Sequence, residues 1–282
     1  MIRMSTQTES KILLINEKAK MSRIETVRLI EKAGSGHYGS SFSSSEIFAT
    51  LYYHVMNFDA KNPKWPDRDR FVMGKGHAAV GLYPILQDLG FYSKELLDTY
   101  VSLGSPFGDH PDMNKIPGID FSSGSIGHGL SVCVGMSLGA RIDGKKYRSF
   151  CLMGDGELHE GQVWEAAMSA ANFKLGNLVA ICDNNKVTVD GVISEMMSIY
   201  PIREKFEAFG WRVVEVDGHD VKALIEVFDS LPDVDSEVPT LIIADTLSGK
   251  GVSWMEKGYE WHVANLAPVD IERAIKEIEE ME

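Results

Sequence analysis

The stretch RSFCLMGDGELHEGQVWEAAMSAANFKLGNLVAICDNN, residues 148–185, decides the fold of this chain. An apolar run turns through Gly154-Asp155-Gly156-Glu157, passes into helical spacing, and returns to a second apolar run ending on Asp183-Asn184-Asn185. Strands that are apolar almost throughout, joined by a helix, mark a parallel sheet covered on both faces; a half-exposed strand would alternate instead. The same grammar continues outward. A short helix (201–210), WRVVEVDG (211–218), a helix (221–231) and PTLIIADT (239–246) follow, and a charged helix runs from Val269 to the end. Upstream, residues 69–90 read as strand, glycine turn and helix, and residues 10–33 as one amphipathic helix or a pair, ended by Gly34. GSGHYGSSFSSSE (34–46) reads as a Gly/Ser loop before a helix over 46–56. Residues 104–124, with three prolines, read as irregular, and the next helix starts near Gly127. The expectation is one α/β domain over 1–282: a doubly wound, mostly parallel sheet with helices on both faces. DSLPDVDSEVP (229–239) is the one stretch resembling a boundary and reads as a loop.

Bulk properties narrow the function. The chain has 282 residues, is 44% hydrophobic and 24% charged, and carries a formal net charge of −13. That charge argues against a nucleic-acid binder, which needs clustered Lys and Arg, but leaves room for a phosphorylated small ligand in a local site. No run reaches the roughly eighteen apolar residues of a membrane span and the N-terminus has no signal-peptide core, so the chain reads as cytoplasmic and free of the membrane. Three cysteines, none in a C-x-x-C pair, read as buried apolar residues.

In open α/β sheets ligands lie outside the carboxyl ends of the strands. Gly154-Asp155-Gly156-Glu157 sits at such an end, with glycines that let backbone approach a ligand closely. A diphosphate suits the place but would be repelled by Asp155 alone. A divalent cation between them resolves the conflict, since Mg²⁺ is commonly held by one or two carboxylates plus ligand phosphates. The next strand ends on Asn185, thirty positions past Asp155. Adjacent parallel strands bring the two together, and an amide oxygen completes an oxygen shell without adding charge. Five of eight histidines, His37, His77, His110, His128 and His262, stand in glycine-rich or irregular loops. No spacing among them suits zinc, whereas imidazoles converging on one cleft suit a substrate rich in hydroxyls. His54 reads as packing, His219 as a surface turn, and His159 stays open.

Gly-Asp-Gly followed about thirty residues later by Asn-Asn resembles the thiamine-diphosphate motif. GDGELHEGQVWEAAMSAANFKLGNL and DNNKVTVDG resemble transketolase, in particular the N-terminal subunit of two-chain transketolases, over residues 11–268. The resemblance implies that Asp155, Asn185 and the carbonyl of Val187 hold Mg²⁺ (or Ca²⁺ or Mn²⁺), which holds the diphosphate. Gly127, His128, Gly154, Gly156, Glu157 and Lys250 would line the cofactor; His37, His77, His110 and His262 would reach the sugar, its carbonyl or the cofactor. Glu160 would contact the glutamate network of a second chain, a C-terminal subunit carrying the pyrimidine-binding domain, in an α2β2 assembly. SGKGVS (248–253) looks like a phosphate-binding loop, but Ala244 and Gly251 break that pattern.

The sequence also departs from the family. The usual His-Pro-Gly-Gly reads His37-Tyr38-Gly39-Ser40, the usual Gly-Gln-Gly reads Gly127-His128-Gly129, and Val263 follows His262 where a glycine is usual. The resemblance implies transfer of a two-carbon ketol group from a ketose or its phosphate to an aldose. The departures leave open a transketolase-like enzyme for a modified sugar, and a catalytically silent cofactor-binding subunit is a further alternative.

Overall fold

Five strands pair in parallel throughout in the computed structural model, which describes residues 6–256 and 258–281. They are β1 (Arg70–Met73), β2 (Ser149–Gly154), β3 (Leu178–Asn184), β4 (Arg212–Asp217) and β5 (Thr240–Asp245), in the order β1-β2-β3-β5-β4. The helices are α1 (Thr6–Ala33), α2 (Tyr38–Ser43), α3 (Ser45–Thr50), α4 (Ala79–Asp88), α5 (Lys94–Leu97) and α6 (Gly129–Ile142). After these come α7 (Gly161–Asn172), α8 (Ile193–Met196), α9 (Ile202–Ala208), α10 (Val221–Asp229) and α11 (Pro268–Glu279).

The inner strands β2, β3 and β5 are apolar on both sides because both sides are covered, whereas the edge strand β4 is only partly buried. Phe150 and Leu152 of β2, with Val179 and Ile181 of β3, face a core built by α1 to α4, α10 and α11. Their neighbours Cys151, Met153, Ala180 and Cys182 face a second core built by α6, α7 and α9. All three cysteines are free and buried, as expected. Among the described residues no helix is long and apolar enough to cross a membrane.

Residues 38–50 depart from the expected loop. They form α2 and α3, every residue buried, with a π-turn over Leu51–Val55 in place of the end of the expected 46–56 helix. Serines disfavour helix interiors because their hydroxyls compete for backbone. Here that competition is absorbed inside the helix: Ser41 donates to the carbonyl of His37 at 2.7 Å and Ser45 to that of Ser41 at 3.1 Å. The other boundaries shift by a residue or a few: α6 starts at Gly129, and α11 has proline in its first turn.

Candidate active site

The carboxyl ends of β1, β2 and β3 open into a cleft of about 380 Å³. In the β2–β3 register Gly154 lies beside Asp183, and the N–H of Asp155 donates to the carbonyl of Asp183 at 3.1 Å. This pairing sets Asp155 and Asn185 on the same wall. The Asp155 carboxylate accepts from the N–H of Gly156 at 2.8 Å and of Lys186 at 2.5 Å. Burial, with the charge of Asp183, nevertheless pushes its carboxyl up to about 7. Asn185 turns its amide nitrogen to Ser43 and Asp183, each at 3.3 Å, while its oxygen accepts from Val187 N–H at 3.2 Å.

Beneath them lies a buried ion pair that the sequence did not disclose. Asp183, fully buried, meets the ammonium of Lys75 just beyond β1 and accepts from the hydroxyls of Ser43 at 2.6 Å, Ser44 at 3.2 Å and Thr246. Burial would raise its pKa, but Lys75 and the hydroxyls outweigh it and hold the carboxyl below the ordinary range. Lys75 also donates to the carbonyl of Ser40 at 3.0 Å. The serine segment thus reaches the cleft at Ser40 and braces the ion pair beneath it through Ser43 and Ser44. Glu157 braces the wall instead: its two oxygens accept from Gly127 N–H at 2.8 Å and Gly154 N–H at 3.2 Å, and burial pushes its carboxyl up to about 7. Gly74 lies so close that a Cβ there would fall 2.4 Å from Glu157 Oε1.

Four of the loop histidines meet. The ring centroid of His37 lies 5.0 Å from that of His77, 5.6 Å from His262 and 6.2 Å from His110. Burial pushes His77 well below the usual imidazole range, and Lys75 and the neighbouring rings add to it. Burial likewise lowers His262 to about 4, assisted by His37 and Lys75. Both are neutral at pH 7. The Nδ1 of His262 and the hydroxyl of Ser40 are buried without a hydrogen-bond partner among the described residues, and both residues line the cleft. Orphaned polar atoms at a cleft wall are groups that a ligand can satisfy.

Gly154, Asp155, Gly156, Glu157, Asn185 and Val187 all line this cleft. Gly127, His128, Glu160 and Lys250 do not. His128 is an exposed residue at the N-cap position of α6, its side chain making no cap bond, and Glu160 is exposed just before α7, its Cβ packed against Gly127. Lys250 is half-buried in a turn whose Gly249 N–H bonds the carbonyl of Gly39 at 3.1 Å. His54, expected as packing, bonds Lys11 and Asp229. His159 bridges the carbonyls of Gly156 and Met197 at 3.0 and 2.7 Å. His219 does stand in a turn, but its ring is mostly covered. Its Nδ1 lies 2.9 Å from Glu46, which is paired with buried Arg23, and its Nε2 accepts from Leu247 N–H at 2.9 Å. That pairing with Arg23 holds Glu46 down to about 2 against the effect of burial. Sequence reasoning missed Lys75, Gly124, Ser125, Ile126, Thr188 and Val189 as lining residues, although Lys75 stands two positions from His77.

Residues 15–279 match the family described as transketolase, thiamine diphosphate binding domain. The chain belongs to the transketolase family. Among its relatives, an apulose-4-phosphate transketolase subunit of Phocaeicola vulgatus is 40% identical over 263 residues, covering 93% of each chain. The 6-deoxy-6-sulfo-D-fructose transketolase subunit SqwG of a Clostridium species is 37% identical, over 94% of this chain and 96% of its own. Human transketolase is 38% identical over 96% of this chain but only 43% of the human one. The crystal structure of transketolase from Campylobacter jejuni superposes with a TM-score of 0.88 at 30% identity, over 95% of this chain and 43% of that one. This transketolase domain therefore spans about two fifths of the human and Campylobacter chains and nearly the full length of the subunit relatives.

Proposed function

We propose that the chain is the diphosphate-binding subunit of a two-chain transketolase, moving a two-carbon ketol group from a ketose or ketose phosphate to an aldose. The observation that carries this is the convergence, in one cleft, of Asp155 and Asn185 with four histidines. Relatives named as transketolase subunits, matched over nearly their whole length, support the division into two chains. The partner would be a C-terminal subunit bringing the pyrimidine-binding domain, in an α2β2 assembly.

The residues present fit the metal and the cofactor. A buried carboxylate without an ion-pair partner is costly, and Asp155 has none in contact among the described residues, the nearby Lys75 being paired with Asp183. Asp155, the amide oxygen of Asn185 and the carbonyl of Val187 form an all-oxygen donor set, which suits Mg²⁺ completed by diphosphate oxygens. Among the described residues no group of three His, Cys, Asp or Glu side chains is placed to hold a metal by itself, in keeping with a cation that needs the ligand to complete its shell. Thiamine diphosphate, when bound, supplies the carbanion and its stabilisation. Gly154 and Gly156 leave room for its diphosphate. His77 and His262, kept neutral, donate or accept hydrogen bonds at sugar hydroxyls and the carbonyl without bringing charge into the cleft. His37 and His110 extend that surface toward the mouth, and the orphaned Ser40 hydroxyl and His262 Nδ1 find their partners in the ligands.

A modified-sugar substrate is the second reading. Ser40, where the family usually has glycine, lines the cleft, whereas Tyr38 is buried against Phe42 and cannot touch a substrate. A silent carrier has no use for four converging histidines. The test is ketol transfer from hydroxypyruvate to a panel of aldoses and aldose phosphates, with Mg²⁺, thiamine diphosphate and the cognate pyrimidine-domain subunit. Transfer by the complex supports the reading, and a complex that binds cofactor yet transfers nothing defeats it.

A further inference from the structure

We propose that Asp109 is a positioning residue for ketol transfer, holding His37 by its Nδ1 so that Nε2 is left as the ring nitrogen that meets the substrate. This role for Asp109 rests on the functional reading above. The two residues stand 72 positions apart, and no motif in the chain links them. Both carboxylate oxygens of Asp109 lie 3.2 Å from His37 Nδ1. The hydroxyl of Tyr100 donates to Oδ1 at 3.4 Å, and His110 Nδ1 stands 3.6 Å from Oδ2. The carboxylate is therefore steered from three sides, while about a third of it (34%) stays open to solvent.

A neutral imidazole has one N–H, and which nitrogen carries it is set by the partner of the other. An ionised carboxylate only accepts, so it selects the tautomer protonated at Nδ1 and turns the Nε2 lone pair outward. The same logic orients the histidine of a Ser-His-Asp triad. Asp109 is ionised here: the hydrogen bond from His37 and the nearby His110 outweigh burial and keep its carboxyl below the ordinary range. The other titratable rings packed against His37 are those of His77, His110 and His262, none of them anionic. Asp109 thus sets His37 apart from its neighbours: among the described residues His77 and His262 have no carboxylate in hydrogen-bond reach, and His37 has one.

Two arms test this. Imidazole ¹⁵N spectra of the full chain, labelled at histidine, should show His37 protonated at Nδ1, and Asp109→Asn and Asp109→Ala should abolish that preference. In the assembled complex with hydroxypyruvate as donor, both variants should lose about 10–100-fold in kcat/KM, the size of effect that follows loss of the outer hydrogen-bond partner of a metal-bound histidine. Thiamine-diphosphate affinity and melting temperature should stay unchanged, and Asp109→Glu should restore part of the rate. Unaltered turnover in Asp109→Asn and Asp109→Ala overturns the proposal, as does a loss that follows a fall in cofactor affinity or melting temperature. If the wild-type complex transfers nothing, the functional reading fails, and the spectra decide the His37–Asp109 pairing by themselves.

Discussion

At Asp155 the cost of waiting for a metal can be measured. Its carboxyl titrates at about 7 in the folded chain without metal, against about 4 when unfolded. Over that interval the folded chain keeps a proton the unfolded chain has released. The stability this group contributes is fully present below about pH 4 and lost as pH rises through about 7. Melting temperatures of the metal-free chain should fall across that range, with Glu157 adding to the slope in the same direction. Asp155→Asn should remove the share due to Asp155; an identical slope in the variant would show that the carboxyl is not strained. The variant should also lose Mg²⁺-dependent binding of thiamine diphosphate, read by calorimetry on the complex, and Asn185→Ala should lose less because water can replace a neutral ligand. At His77 and His262 the expectation is reversed. Alanine at either should lower kcat/KM by about 10²–10⁴-fold while the holoenzyme still assembles, and a variant that fails to bind cofactor would refute the assignment to turnover.

The serine helices show what patterning can reveal and what it cannot. β2, α7 and β3 were legible because period and composition agreed over a long window, and the ends of β2 and β3 therefore placed Asp155 and Asn185 on one wall. Residues 39–45 hold one glycine and five serines, a composition whose local preference is for turns. What makes them helical lies elsewhere in the chain: the ion pair of Arg23 with Glu46, and Asp183 gathering the hydroxyls of Ser43 and Ser44. Lys75 and Asp109 were hidden for the same reason, since their partners are 108 and 72 positions away. Gly127, His128, Glu160 and Lys250 carry family motifs, yet the motif alone could not say which side chains face the cleft. The braced ion pair is correspondingly fragile. Lys75→Ala, which strands a buried carboxylate, should cost about 3–5 kcal/mol. Ser43→Ala should cost about 1–3 kcal/mol. Urea midpoints decide the order, and a Ser43 effect as large as that of Lys75 would move the weight from charge to packing.

Among the described residues the molecule is one five-stranded sheet with a core on each face and a cleft at the carboxyl ends of its strands. The human and Campylobacter transketolases are more than twice as long. If the remainder of their machinery belongs to a separate subunit here, the chain alone should bind thiamine diphosphate weakly and transfer no ketol group; detectable transfer by the purified chain would end that reading. The wall of the cleft also governs what selection can change. A Cβ at Gly74 would meet Glu157 at 2.4 Å, and one at Gly129 would meet the Cα of Gly74 at 2.7 Å. At Gly129 the obstacle is backbone and no side chain fits; at Gly74 it is the carboxylate of Glu157, which would have to give up its hold on Gly127 and Gly154. Val189 and His110, by contrast, line the cleft from exposed positions. A library screened for new sugars should collect its winners at this rim and none at the two glycines, so the enzyme's capacity to change diet resides in a border only a few residues wide.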